Sequence, residues 1–198
     1  LNEELVARYP KKPLVMRNIC PDATPDLASA LQKTGWQLIP ARMVYLCDPQ
    51  QSTVWKHNHV KQDAKLLAST DVEILRPDQI TAAELPELRA LYHQLFIEKH
   101  SKLNPDFTLA FFELCLESGF LDLYGLRLQG KLVGVLGLYE QHGWLTTTLI
   151  GSDNSLTHKK GIYRGLQAIL LQQDKAQKLR LHYCTGSNQS KRARTGKG

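Results

Sequence analysis

The sequence predicts an α/β fold whose mixed, largely antiparallel sheet is flanked by helices, and three observations predict it. Asp71-Val72-Glu73-Ile74-Leu75 alternates polar and apolar residues, the period of a half-buried strand. Leu85, Leu88, Leu91, Tyr92, Leu95 and Phe96 then recur at helical spacing behind Thr81-Ala82-Ala83-Glu84, the pattern of a capping box. From Leu121 the period returns to that of strands. Three apolar runs follow, separated by the tight-turn sequences Gln129-Gly130-Lys131 and Gln141-His142-Gly143.

Taken in order, the first block opens with Pro13 to Ile19 as a short strand. Pro25-Asp26 starts a helix through Leu27, Ala30 and Leu31 that stops at Gly35. Trp36 to Cys47 reads as extended, with Val44, Tyr45 and Leu46 favouring strand. A strand–helix–strand unit of this size is too small to hold a core alone. Asp48 to Thr70 is polar and reads as a linker, with a helical turn or two between Asp63 and Ala68. Its His57 and His59 have the residue type of metal ligands, but no cysteine or carboxylate cluster accompanies them, so a solvated pair is expected and no metal site.

In the second block, the strand 71–75 ends at Arg76-Pro77 and the amphipathic helix follows. After Asn104-Pro105-Asp106 a second helix carries Phe107, Phe111 and Leu114 and ends at Gly119. Leu121 to Leu128, Leu132 to Tyr139 and Trp144 to Ile150 form an antiparallel meander. Past a polar loop and Lys160-Gly161, the residues Ile162, Leu166, Ile169 and Leu170 mark a third helix, and Leu179 to Cys184 a further strand. The chain then closes on a basic segment, Lys191-Arg192-Ala193-Arg194.

With 198 residues, the chain can bury a sizeable core. Its hydrophobic share of 42% and charged share of 22% are those of an ordinary globular protein. No apolar run approaches the roughly 20 residues of a membrane-spanning helix, so no membrane partner is expected. The four cysteines Cys20, Cys47, Cys115 and Cys184 are scattered, which suits a reduced compartment and a cytoplasmic location. The net charge of +6 favours anionic partners, although much of the excess lies in the last residues.

This order of elements resembles the GNAT acyltransferases, and in particular the FemAB-like branch, in which two such domains are joined in tandem. Three stretches carry the resemblance: Tyr92 through Lys99-His100-Ser101-Lys102-Leu103-Asn104-Pro105, Gly161-Ile162-Tyr163-Arg164-Gly165-Leu166, and Gly186-Ser187 through Lys191-Arg192. The resemblance implies a C-terminally incomplete GNAT-like domain over 71–198. It also implies that residues 1–48 are the closing part of a preceding GNAT-like domain, with 49–70 as the linker. The activity it implies is direct transfer of an acyl group from acyl-CoA, such as acetyl-CoA, to a small-molecule or peptide amine. An aminoacyl-tRNA donor, as FemAB-like members use, is the alternative and makes tRNA a possible partner.

GNAT enzymes hold the donor's pyrophosphate where a helix begins, because unpaired backbone N–H groups and the helix dipole favour an anion there. The family pattern Gln/Arg-x-x-Gly-x-Gly/Ala falls here on His158-Lys159-Lys160-Gly161-Ile162-Tyr163, so that His158, Lys159, Lys160, Gly161, Tyr163 and Arg164 become the donor-binding candidates. His158 stands in for the Gln or Arg, and Tyr163 for a small residue. A solvated basic helix start is the other reading of the same residues. Direct transfer needs a base for the acceptor amine and an acid for the leaving group. Glu140 is the base candidate, His142 its alternative in the same turn, and Tyr183 the acid; as structural residues, the first two are solvated turn positions and the third is core. Lys99, Ser101 and Asn104 could contact the acceptor, or Ser101 and Asn104 could cap and turn the chain. Cys184 reads as a buried thiol and not a nucleophile. Two further readings keep the fold but change the function: a non-catalytic GNAT-fold module, and a nucleic-acid surface made of Lys159, Lys160, Arg164, Lys178, Arg180 and the 191–194 run.

Overall fold

The computed structural model describes residues 2–40, 44–51, 53–156 and 161–183. The chain divides into two compact units, Leu1–Arg42 and Met43–Gly198.

The first unit carries α1 (Asn2–Arg8) and α2 (Pro25–Lys33). Pro25 opens α2 at a position where its missing N–H costs nothing. Gly35, at φ +88°, closes it, with the N–H of Trp36 donating to the Leu31 carbonyl at 3.0 Å. The strand expected over Pro13–Ile19 does not form. Asn18 adopts a left-handed φ of +64°, which breaks an extended run, and Val15 is 75% exposed with no neighbouring strand to pair it.

In the second unit β1 (Tyr45–Cys47) leads into α3 (Asn58–Leu67), a full helix inside the polar stretch 49–70. The remaining elements are β2 (Val72–Leu75), α4 (Leu85–His93), α5 (Leu109–Ser118), β3 (Asp122–Leu128), β4 (Lys131–Gln141), β5 (Trp144–Ser152), α6 (Ile162–Gln177) and β6 (Arg180–Tyr183). A single sheet runs in the order β1-β6-β5-β4-β3-β2. Every pairing is antiparallel except β5 with β6. The fold class read from the sequence is the one observed.

Local chemistry explains the boundaries. Glu84 reaches back to the Thr81 N–H at 2.8 Å, which is one half of the capping box, and α4 starts at the next residue. Thr108 Oγ1 accepts from the Phe111 N–H to cap α5, and Gly119 at φ +63° ends that helix. Both hairpin turns place their two central residues at positive φ, Gln129-Gly130 and His142-Gly143, which suits the right-handed twist of the flanking strands.

Alternation along the strands buries both faces of the sheet. One face packs Leu126, Val133, Leu136, Leu138, Leu145 and Leu181 against Leu166, Ile169 and Leu170 of α6. The other packs Leu123, Leu132, Val135 and Leu149 against Leu88, Tyr92 and Phe112 of α4 and α5. Immediately after α4 the chain makes a π-helical turn over Gln94–His100, a rare geometry often found beside functional sites.

Candidate functional site

The feature that sets up a site is the parallel pair. Among the described residues β5 and β6 are in register at three positions, Trp144↔Arg180, Leu145↔Leu181 and Thr146↔His182. The last of these pairs is the apex of the parallel pair; β5 runs on from it to Ser152, and α6 begins beyond that end.

Two irregularities mark this strand. Leu138 faces Thr147 and Gly137 faces Leu149, so Thr148 is an extra residue without an opposite number on β4. Such a bulge releases backbone groups from the ladder next to the apex. The second is Gly151. A Cβ there would lie 2.4 Å from the Tyr92 nitrogen, so α4 crosses β5 backbone to backbone near the end of that strand.

The loop leaving β5 is tied down by polar contacts. The Asp153 N–H donates to the carbonyl of Val133, the bulged residue of β4. The Asp153 carboxylate accepts from the Ser155 hydroxyl at 2.6 Å and N–H at 2.9 Å, and its other oxygen meets Lys131 Nζ at 3.2 Å. The Ser155 hydroxyl, with lesser help from the Ser155 N–H and Lys131, holds this carboxyl below its ordinary range against the opposing effect of burial. A lowered folded-state value stabilises the fold above the ordinary Asp range and loses that contribution as pH falls through the lowered value. Asp153→Asn is therefore expected to lower Tm at neutral pH, and the difference from wild type should shrink as pH falls below the ordinary Asp range; thermal melts across that range check this. Asn154 Nδ2 donates to the Gln94 carbonyl at 2.8 Å, joining the loop to the π-helical turn, while its Oδ1 is buried without a partner.

The candidate residues distribute as follows. Glu140 lies opposite Leu145 on β4 and is exposed, one strand across from the apex. His142 is exposed in the β4–β5 turn at φ +51°, and Arg180 at the start of β6 donates its N–H to Gly143 in the same turn. Tyr183 is the residue after His182 on β6. Gly161 stands at the other end of β5, just ahead of α6, at φ +66°. Nine residues of β5 separate the two groups, about 26 Å of strand.

Lys99 is exposed at the end of the π-helical turn. Ser101 and Asn104 serve the chain itself: Ser101 Oγ accepts from the Leu103 N–H, and Asn104 Nδ2 donates to the Phe96 carbonyl at 2.8 Å. Arg164 is held by Asp63 at 2.5 Å and approached by Gln62, so α3 already compensates its charge. The groove of about 480 Å³ on that flank, lined by Asp63, Leu66, Asp71, Gly161 and Arg164, is acidic as much as basic. His158, Lys159, Lys160 and Cys184 lie outside the described residues, as do 186–194. A larger groove, about 630 Å³, borders the β3–β4 hairpin and the start of α4; it contains no residue of β5, β6 or α6.

His182 was passed over in the sequence reading. It is half-buried, its ring meets Trp144 edge-on at 6.5 Å, and its carbonyl accepts from Thr146 Oγ1 at 3.0 Å. No motif singles it out. Only the register of the parallel pair brings it to the apex.

No protein-family model matches the chain, and no curated protein matches it in sequence. Solved structures do match in fold. L-PGS from Bacillus licheniformis superposes with a TM-score of 0.58 at 14% identity, covering 79% of this chain and 49% of that one. The C-terminal domain (DUF2156) of an Agrobacterium fabrum protein, provisionally assigned as a lysylphosphatidylglycerol synthetase, gives 0.55 at 16% identity, covering 82% and 51%. A GCN5-related glucosamine N-acetyltransferase region in a fungal multi-domain β-N-acetylglucosaminidase gives 0.51 at 16% identity, covering 88% and 21%. The chain thus spans about half the length, or less, of these structures. Sheet order, helix placement and these superpositions together give the chain the GNAT fold.

Proposed function

We propose that this chain is an acyltransferase whose donor lies between β5 and β6, with acyl-CoA as donor and an amine as acceptor. The observation that carries the reading is the parallel pairing of β5 with β6 beside the bulge at Thr148, with Gly161 at positive φ ahead of α6. Backbone groups released from the β4–β5 ladder at the bulge offer N–H and C=O groups to an extended ligand that carries amides of its own. The start of α6 beyond the end of β5 suits a pyrophosphate, and Gly161 at positive φ allows close backbone approach there. The separation of apex and helix start then has a purpose: reacting carbonyl at one end, phosphates at the other.

At the apex the acceptor nitrogen attacks the thioester carbon, and a C–N bond forms as the C–S bond breaks. A base takes the proton released by the nitrogen, and the departing thiolate takes up a proton. His182 is assigned the base and Tyr183 the acid; Glu140, in register with Leu145 and Leu181 on the other face of the sheet, is the alternative base. Backbone N–H groups freed at the Thr148 bulge supply a place for the oxyanion.

The alternative, carried by the sequence resemblance alone, is aminoacyl transfer from an aminoacyl-tRNA in the manner of the FemAB-like branch. Titration with CoA and with tRNA at two salt concentrations separates the readings. Saturable, salt-tolerant CoA binding is expected; binding of tRNA alone, weakening steeply with salt, would favour the second. Gly161→Val is expected to abolish CoA binding, because a β-branched residue resists positive φ and covers the backbone N–H groups. Among the described residues only Leu66 lies near the added Cβ, at 3.5 Å, so the fold should survive. Unchanged affinity would remove this loop from the donor site.

A further inference from the structure

Three arginines of the second unit, Arg89, Arg127 and Arg164, each hold a carboxylate. Arg180, at the start of β6, meets none among the described residues. Its guanidinium lies over the Trp144 ring instead, with Cζ 4.3 Å from the centroid. The indole beneath is buried and Arg180 is exposed, so the guanidinium is the outer layer of the stack. Stacking on an aromatic face fixes where a guanidinium sits but leaves its charge in place and its N–H fork free to donate.

The same face of the sheet carries the apex. Side chains alternate along β6, so Arg180 and His182 point to one side while Leu181 enters the core against α6. Two residues of strand separate them, roughly 6.5 Å. Both touch Trp144, the His182 ring edge-on. Glu140 is in register with Leu181 through Leu145 and so belongs to the opposite face. Across the sheet, His182, Thr146 and Tyr139 stand in one register row about 10 Å long, two strand spacings. At its far end the Tyr139 ring packs on Phe120, with centroids 5.2 Å apart, and Phe120 is 51% exposed. From His182, therefore, a guanidinium lies along the strand and an aromatic surface lies across it.

From this arrangement we propose that the acceptor is a free α-amino acid with an apolar side chain. Arg180 takes the carboxylate, the amine lies at His182, and the side chain runs over Thr146 toward Tyr139 and Phe120. The proposal rests on the acyl-CoA reading above and names its acceptor. One guanidinium balances one negative charge, which a carboxylate supplies, and its planar fork can donate two parallel hydrogen bonds to the two oxygens. In an α-amino acid the amine, carboxylate and side chain diverge from one carbon, as His182, Arg180 and the Tyr139 row diverge here. The nitrogen gains the acyl group and gives up a proton, and the thiolate released from the thioester takes one up. The products are an N-acyl amino acid and free CoA.

The test uses the full chain with acetyl-CoA and three acceptors: L-phenylalanine, phenethylamine, which lacks the carboxylate, and glycine, which lacks the side chain. The wild type is expected to favour phenylalanine over phenethylamine by about 10- to 100-fold in kcat/KM, the worth of hydrogen bonds to a charged group. It should favour phenylalanine over glycine by about 10-fold or more. In Arg180→Gln the preference for phenylalanine over phenethylamine should fall to near one, through a raised KM for phenylalanine. Arg180→Lys keeps a charge over Trp144 but loses the fork, and should retain only part of the preference. A residue that merely covers Trp144 would lower all three acceptors together when replaced. That result overturns the proposal, as does a wild type that uses phenethylamine or glycine as well as phenylalanine. If the wild type binds CoA and acetylates none of the three, only the proposed acceptor fails. If it binds no CoA, the acyl-CoA reading fails and takes this proposal with it.

Discussion

Gly151→Ala is expected to be the most damaging single-methyl change in the second unit. The added Cβ would sit 2.4 Å from the Tyr92 nitrogen, 2.5 Å from its Cα and 2.6 Å from the Leu91 carbonyl carbon. All three are main-chain atoms of α4, so no rotamer change relieves the clash. The helix must lift off β5, and Tyr92 lifts with it. That ring is 1% exposed, stacks on Phe96 and Phe107, and donates its hydroxyl to the Pro105 carbonyl. Overpacking usually costs about 1–3 kcal/mol, and backbone on both sides puts this site at or above the top of that range. For a unit of this size that is on the order of 10 °C in Tm. Gly134→Ala is the matched control, because its Cβ would meet side-chain atoms and no backbone: the two Leu166 methyls at 3.1 and 3.2 Å and the Leu126 Cβ at 3.3 Å. Equal Tm losses for the two variants would show that the α4 crossing has room to give.

Loss of the apex imidazole should have the largest effect on turnover. His182→Gln is expected to lower kcat by about 10²- to 10⁴-fold, the range for removal of a general base, while CoA affinity changes little. Glu140→Gln is expected to cost less, because Glu140 is exposed and lies one strand from the apex. Assays with acetyl-CoA and a panel of primary amines provide the measurement. A His182→Gln variant within threefold of wild type would transfer the base role to Glu140 or His142. Thermal melts separate a catalytic loss from disturbed packing, since the ring also touches Trp144.

Binding sites in this fold lie between elements far apart in the chain, and that governs what could be read in advance. Gly161 was recognisable because a glycine at a helix start is a local signal, and its φ of +66° agrees with that reading. Ser101 and Asn104 carried two local meanings, and the structure displays the backbone-binding one. Arg164 looked like a free cation next to two lysines. Its partner, Asp63, is about a hundred residues earlier, on a helix that forms within a polar stretch. Residues 13–19 had strand composition and no strand to pair with.

From Asp71 onward the sequence by itself determined the element types, their order and most of their ends, because these depend on spacing within a few residues: the return of apolar side chains every two or every three to four positions, Thr81 and Glu84 at the start of α4, and Gly119, Gly130 and Gly143 where the chain must turn. Only the tertiary structure decided how β5 meets its neighbours. The bulge at Thr148 is a count of residues against β4, the close crossing at Gly151 is a contact with α4, and the apex at His182 is a register between strands 36 residues apart. Pairing register and helix contact are set by long-range packing, which no local period encodes.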